Sequence, residues 1–188
     1  YIGAMGIEAV AKQANARIFI QGIGGLGIEI AKNIVLAGCK EVTVNDSKKC
    51  WLSDLCDNFF ITKQDVDKKI KWADACQKKL QQLNYYVKVS VLANKLDSEA
   101  ALMEAKLETY SVVVITDLGI KQQILINDYC WKHDVKFIAA DALGVYGWVF
   151  NDFGEKFVVL DKDGEELQKL VIDSITNAEE GVVTLQQG

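Results

Sequence analysis

Gly22, Gly24 and Gly27, spaced G-x-G-x-x-G, follow an apolar run (Ile18 to Gln21) and precede a helical pattern carrying Ile28, Ile30, Ala31, Ile34 and Val35. That spacing suits phosphate chemistry. The first glycine allows a tight turn, the second lets backbone approach a phosphate, and the third permits close helix–strand packing. A helix opening near Gly27 adds free N–H groups and the positive end of its dipole. Nineteen residues past Gly27, a second strand (Glu41 to Asn45) ends at Asp46, where such folds place a carboxylate on ribose hydroxyls. The same residues also suit a tight turn kept for packing, with Asp46 capping it.

The other reactive residue types are poorly placed for chemistry. Five cysteines (Cys39, Cys50, Cys56, Cys76, Cys130) form no C-x-x-C pair, so structural zinc is not expected. Reduced thiols are the simpler reading. His133 is the single histidine and sits between Lys132 and Asp134, so no cysteine has an evident base. Asp141, Asp152 and Asp161 read as turn residues.

The elements that must position the glycine turn alternate regularly. A short helix (5 to 16) leads into the first strand. Beyond Asp46 an irregular stretch to Thr62 offers Trp51, Leu55, Phe59 and Phe60 as anchors. An amphipathic helix follows over Lys68 to Leu83, with Asn84 as terminator. The pattern continues with a strand over Tyr86 to Ala93, a helix from Ser98 to Leu107, a β-branched strand over Ser111 to Ile115, a helix from Gln122 to His133 and a strand over Val135 to Ala139. Such alternation predicts a doubly wound, mostly parallel α/β sheet. After Asp141 the pattern changes. Tyr146 to Phe150 and Phe157 to Leu160 read as an antiparallel pair joined around Asp152 to Gly154, then a hairpin-type turn at Asp161 to Gly164. Gly181 to Leu185 reads as a strand cut off from its partners, the opening of a second domain.

Composition narrows the function classes. Half of the 188 residues are hydrophobic and the net charge is -5, with no basic cluster, so no nucleic-acid surface is expected. No apolar run approaches the ~20 residues that span a bilayer, so no membrane association is expected. A start at Tyr1 is expected of a piece excised from a longer chain. The complete lack of proline has no physical account here.

The assembled residues resemble the ubiquitin-activating enzyme family, whose fold is shared with bacterial molybdopterin- and thiamine-biosynthesis adenylating proteins. "IQGIGGLGIEIAKN" (20–33) and "IVLAGCKEVTVND" look like that family's glycine turn and ribose-carboxylate strand. "QQLNYYVKV" (81–89) and the stretch from Phe137 to Glu166 resemble its third strand and sheet end. The resemblance implies a Rossmann-like adenylating fold with an antiparallel C-terminal extension. The family pairs two such halves, of which one performs chemistry. The active half carries a stretch like S-N-L-N-R-Q-F, matched here by Ser53 to Phe59 with Asp57 at the Arg position. The family's Lys falls at Trp72, beside Lys71. Its magnesium-binding Asp aligns with Leu118, Asp117 being one residue off, and a further Arg is replaced by Gln123.

The resemblance therefore implies the inactive half over residues 1–163. Residues 164–188 would begin the first catalytic-cysteine half-domain, truncated, with the thioester cysteine beyond Gly188. An Arg lent to the active site would lie before Tyr1. Gly22, Gly24, Gly27 and Asp46 would be a vestigial nucleotide cradle, with no catalytic residue, metal or cofactor in this chain. ATP and magnesium would serve the longer protein's active half. Implied partners are that half, ubiquitin and ubiquitin-conjugating enzymes. Self-association of the isolated chain through the bare partner face, and a cytoplasmic and nuclear location, are also expected. The alternatives are a competent ATP-binding adenylating domain, using Lys71 or Lys68 with Asp117, or an NAD-dependent oxidoreductase.

Overall fold

A computed structural model describes residues 2–159, 170–177 and 180–187. They fall into two compact units, residues 1–156 and 157–188. In the first unit a six-stranded sheet has the order β3-β2-β1-β4-β5-β6. Its strands are β1 (Arg17–Gln21), β2 (Glu41–Asn45), β3 (Lys88–Leu92), β4 (Val112–Ile115), β5 (Lys136–Leu143) and β6 (Tyr146–Asp152). All neighbours are parallel except β5 and β6. The fold is the doubly wound, mostly parallel α/β sheet expected. Its strand order reverses between β1 and β4, the place where open α/β sheets leave a crevice.

Strand alternation explains the two helical layers. On one face Ile20, Val42, Val44 and Val114 pack with Ile28, Val35 and Leu80 of α2 (Gly25–Ala37) and α4 (Trp72–Leu83). On the other, Phe19, Val113, Ile115 and Phe137 pack with Leu102 of α5 (Glu99–Glu104) and Ile126 of α6 (Ile120–Lys132). Successive side chains leave a strand on opposite sides, so adjacent residues Phe19 and Ile20 serve different cores. Each fully buried large side chain contributes about 2–3 kcal/mol. Thr43 points to the second layer, where its hydroxyl accepts from Tyr110 Oη at 2.9 Å.

The first helix, α1 (Ile2–Asn15), kinks at Gly6, where φ is 79°. Several local expectations need correction, among them Asp141 and Asp152, which lie in β5 and β6 rather than in turns. The α2 helix opens at Gly25, with Gly24 as its N-cap, rather than near Gly27. The helix expected over 68–83 starts only at Trp72, as α4, and a separate short helix, α3 (Lys63–Asp67), precedes it. Between them Lys69 turns left-handed (φ 51°), and the Ile70 carbonyl and Trp72 amide pair with Cys50 and Lys48. Tertiary hydrogen bonds outweigh the helical periodicity there. Trp51, Leu55 and Phe59 are exposed rather than anchoring, and only Phe60 packs on the core. Cys50, Asn58 and Ile61 hold that stretch instead.

A further correction concerns β6, which pairs with β5 and not with residues 157–159. Leu143 faces Tyr146 across a two-residue turn in which Gly144 has φ 63°, the positive value a type II′ hairpin asks of its first central residue. Phe157 to Val159 form no strand; Leu160 and the turn expected at 161–164 lie outside the described residues. In the second unit β7 (Leu170–Ile175) pairs antiparallel with β8 (Val183–Gln187), with a register irregularity between Ile172 and Ser174. The strand expected to stand alone therefore has a partner.

Candidate functional site

The glycine turn leaves β1 with Gly22 at φ 89° and enters α2 at Gly25. Its glycines are required by their neighbours. A Cβ on Gly27 would lie 1.9 Å from the Gly22 carbonyl oxygen, and one on Gly22 2.4 Å from Thr116 Oγ1. The Gly22 amide donates to the Asn45 carbonyl at 3.0 Å, and Thr116 Oγ1 donates to the Gly22 carbonyl at 3.2 Å. The turn is thus fastened to β2 and β4 at once.

Asp46 is the turn's main polar partner. Its Oδ2 accepts the Ile23 N–H at 3.0 Å and its Oδ1 accepts the Lys48 N–H at 2.8 Å. The side chain is buried at 2% exposure. Burial pushes this carboxyl above its ordinary value, against the two N–H donations, and nearby Asp117 pushes the same way. The structure brings Gly22, Gly24, Gly27 and Asp46 together, with the carboxylate accepting one N–H from the turn and one from Lys48 beyond β2.

What lies over the turn is acidic and aromatic. A Cβ on Gly24 would come 2.7 Å from Asp117 Oδ2 and 3.2 Å from the Trp72 ring, and one on Gly25 3.5 Å from Asp57 Cγ. The Trp72 indole N–H donates to Asp54 Oδ2 at 2.7 Å. Lys48 Nζ lies 5.1 Å from the centre of the Trp72 ring, a cation over an aromatic face. The Asp57 and Asp117 carboxylates and the Trp72 indole, with Lys48 over its face, therefore stand at the start of α2. Beyond them a cleft of about 360 Å³ at the β1/β4 crevice is lined by Gln21, Asp46, Lys48, Asn94, Asp117 and Gln122, among others. Leu118 borders the same cleft, and its carbonyl accepts from Gln123 Nε2 at 2.7 Å.

Two residues that sequence reasoning missed hold this arrangement. Asn58, 1% exposed, donates from Nδ2 to the Ile23 carbonyl at 2.8 Å and accepts the Phe60 N–H at 3.0 Å. Asn45 donates from Nδ2 to Gln21 Oε1 at 2.6 Å and to the Asn94 carbonyl at 2.9 Å. Neither carries a sequence signal of its own, since an isolated Asn reads as a loop residue. Of the cysteines, only Cys56 is exposed. Burial raises the Cys50 thiol to about 11 and those of Cys76 and Cys130 to about 12.

The parallel sheet, the switch-point crevice and the glycine turn define a nucleotide-type α/β protein. The chain belongs to the ThiF family, whose model matches residues 2–177. It is 42% identical over 182 residues to ubiquitin-like modifier-activating enzyme 6 of Mus musculus, covering 96% of this chain and 17% of that protein. It is 40% identical over 185 residues to ubiquitin-activating enzyme E1 2 of Arabidopsis thaliana, covering 97% of this chain and 16% of that protein. The resemblance to ubiquitin-activating enzymes is borne out, and the chain spans about a sixth of these relatives' length. Among solved structures, E. coli MccB with AMPCPP and selenomethionine MccA superposes with a TM-score of 0.73 at 19% identity, over 82% of this chain and 46% of that one. At that identity the likeness concerns fold alone.

Proposed function

We propose that this chain is the non-catalytic adenylation half of a ubiquitin-activating enzyme, a scaffold against which the active half of the same polypeptide adenylates ubiquitin with ATP and magnesium. In this reading the second unit opens the first catalytic-cysteine half-domain. Ubiquitin and ubiquitin-conjugating enzymes are partners of the longer protein, which works in cytoplasm and nucleus.

One observation carries the proposal. Asp57, Asp117 and the Asp54-bound Trp72 ring crowd the start of α2, where a nucleotide's phosphates would need cations. Adenylation stabilises developing negative charge with positive groups and a metal. Carboxylates at that place repel a triphosphate, and Asp46 is already committed to Ile23 and Lys48. In this reading the carboxylates at the turn outweigh Lys48 and Lys95, the cations that line the cleft. The glycines then serve packing, which the contacts at Gly22 and Gly27 require in any case.

The test is made in the longer protein. Trp72→Ala and Asp117→Asn each leave ubiquitin-dependent ATP–pyrophosphate exchange within about threefold of wild type, since neither touches the reacting phosphates. A loss of roughly a hundredfold or more in kcat, at unchanged stability, would make this half catalytic.

A further inference from the structure

The β3 strand ends the six-stranded sheet, and among the described residues only β2 pairs with it. A free edge presents a row of backbone N–H and C=O groups to any extended chain that meets it. The Lys88 N–H donates to the Lys40 carbonyl at 3.2 Å, on the β2 side. Strand alternation then turns the backbone of Lys88, Ser90 and Leu92 toward β2, and that of Val87, Val89 and Val91 toward the open edge.

Most of these outward groups are already taken, and by side chains. Gln81 Nε2 donates to the Val87 carbonyl at 2.7 Å, while Gln81 Oε1 accepts the Val89 N–H at 3.0 Å. Gln77 Nε2 donates to the Val89 carbonyl at 2.9 Å. Both glutamines are half-buried and stand one turn apart on α4. A residue of a parallel neighbour placed opposite Lys88 would make the same two bonds as the Gln81 amide, one to residue 87 and one from residue 89. Gln77 continues the series with the next N–H. Two side-chain amides therefore fill the place of a seventh strand. Neither of them bonds the backbone of Val91, the third outward residue, among the described residues.

We infer that Gln77 and Gln81 form an edge guard: they hold the strand-addition site of β3 closed, so that an extended segment of another polypeptide does not join the sheet there. Glutamine suits this task because its amide offers a donor and an acceptor together, as a peptide unit does. Alanine in their place would leave the outward groups of Val87 and Val89 open. Lysine would lose the amide bonds yet still guard the edge by its charge. The inference does not depend on the proposed function, because neither glutamine lines the cleft at the glycine turn.

Amide exchange resolved by residue in the 188-residue chain, with sedimentation of two double variants, tests it. In wild type the Val89 amide exchanges at least about tenfold more slowly than the Val91 amide, although both face the same edge. Gln77→Ala/Gln81→Ala brings Val89 to within about threefold of Val91 and strengthens self-association at least about tenfold at equal concentration. Gln77→Lys/Gln81→Lys frees the Val89 amide equally but keeps association within about twofold of wild type, because charge alone keeps an edge from pairing. Glutamines that only stabilised the fold would make the two variants associate alike. Circular dichroism selects folded protein, and the wild-type comparison of Val89 with Val91 needs no variant. A Val89 amide as fast as Val91 in wild type overturns the inference. So does a folded alanine variant no more associated than wild type, or a lysine variant that associates as strongly as the alanine one.

Discussion

Asp46 accepts the Ile23 amide hydrogen at 3.0 Å, and this bond joins the end of β2 to the middle of the glycine turn. In a nucleotide-binding protein the corresponding carboxylate faces a ribose. Here it is buried and accepts two backbone N–H groups, from Ile23 and Lys48. Removing it tests this role. Asp46→Ala leaves the Ile23 and Lys48 N–H groups without their acceptor and lowers stability by about 2–3 kcal/mol in urea titrations. A loss well below about 1 kcal/mol would remove Asp46 from the account of the turn's rigidity.

The same carboxylate has a defined pH signature. Burial raises its native value above the ordinary 3.8, so in that window the native state binds more proton than the unfolded chain. The stability that Asp46 contributes is therefore greatest below 3.8 and falls as pH rises through the raised native value. Wild type compared with Asp46→Asn isolates the effect. The difference in unfolding free energy should shift against wild type as pH climbs through that window, and a shift in the opposite direction would contradict it.

Glu41 behaves in the opposite sense. Burial alone would raise its carboxyl, but hydrogen bonds from Lys88, Arg17 and Ser90 outweigh this and lower it below 4.5. Arg17 Nε and Lys88 Nζ each stand 3.0 Å from it. Its contribution is present above the unfolded value and is lost as pH falls through the lowered native one. At pH 7 Glu41→Gln should cost about 1–2 kcal/mol, with the deficit disappearing in acid. A deficit constant with pH would assign the loss to packing.

The glycines divide by what surrounds them. Gly27→Ala drives a methyl into the Gly22 carbonyl and should cost at least about 3 kcal/mol or prevent folding. Gly24→Ala meets the ends of the Asp117 and Trp72 side chains, which can move, and should cost about 1 kcal/mol. Equal losses in thermal unfolding would mean that helix–strand closeness does not set the requirement.

Most of this fold is legible in the sequence, because β-branched runs buried on both faces leave little freedom. The β2 bounds match at both ends, Glu41 and Asn45, and β4 lacks only Ser111 of the run read for it. The readings failed where a distant partner decides the local state. Trp51 and Phe59 are large and apolar, yet buried Asn58 anchors their loop through the Ile23 carbonyl. The helix read over 68–83 starts late, at Trp72, because Ile70 and Trp72 bond to Cys50 and Lys48, far off in sequence. The sequence of β6 points to the wrong partner because the turn signals at Asp152 to Gly154 outweigh the single Gly144. At the site, the glycines and Asp46 are visible as spacing. The Trp72 ring over Gly24 follows only from the fold, which brings α4 to the start of α2.

Thiol reactivity gives an independent check on the packing. An aromatic disulfide reagent should titrate Cys56 rapidly and leave Cys39, Cys50, Cys76 and Cys130 silent until denaturant is added. The silent thiols are buried and raised by burial, so the reactive thiolate is scarce near neutral pH. Fast labelling of Cys76 or Cys130 in folded protein would contradict the core described for α4 and α6.

The central claim is that this glycine turn no longer serves a nucleotide. Isothermal titration of the folded chain with ATP and magnesium ions, alongside NAD, tests it most directly. The account predicts no measurable heat of binding from either at ligand concentrations up to about 1 mM. Saturable ATP binding in the micromolar range would mean that Asp57, Trp72 and Asp117 do not close the cradle, and the scaffold reading would fall.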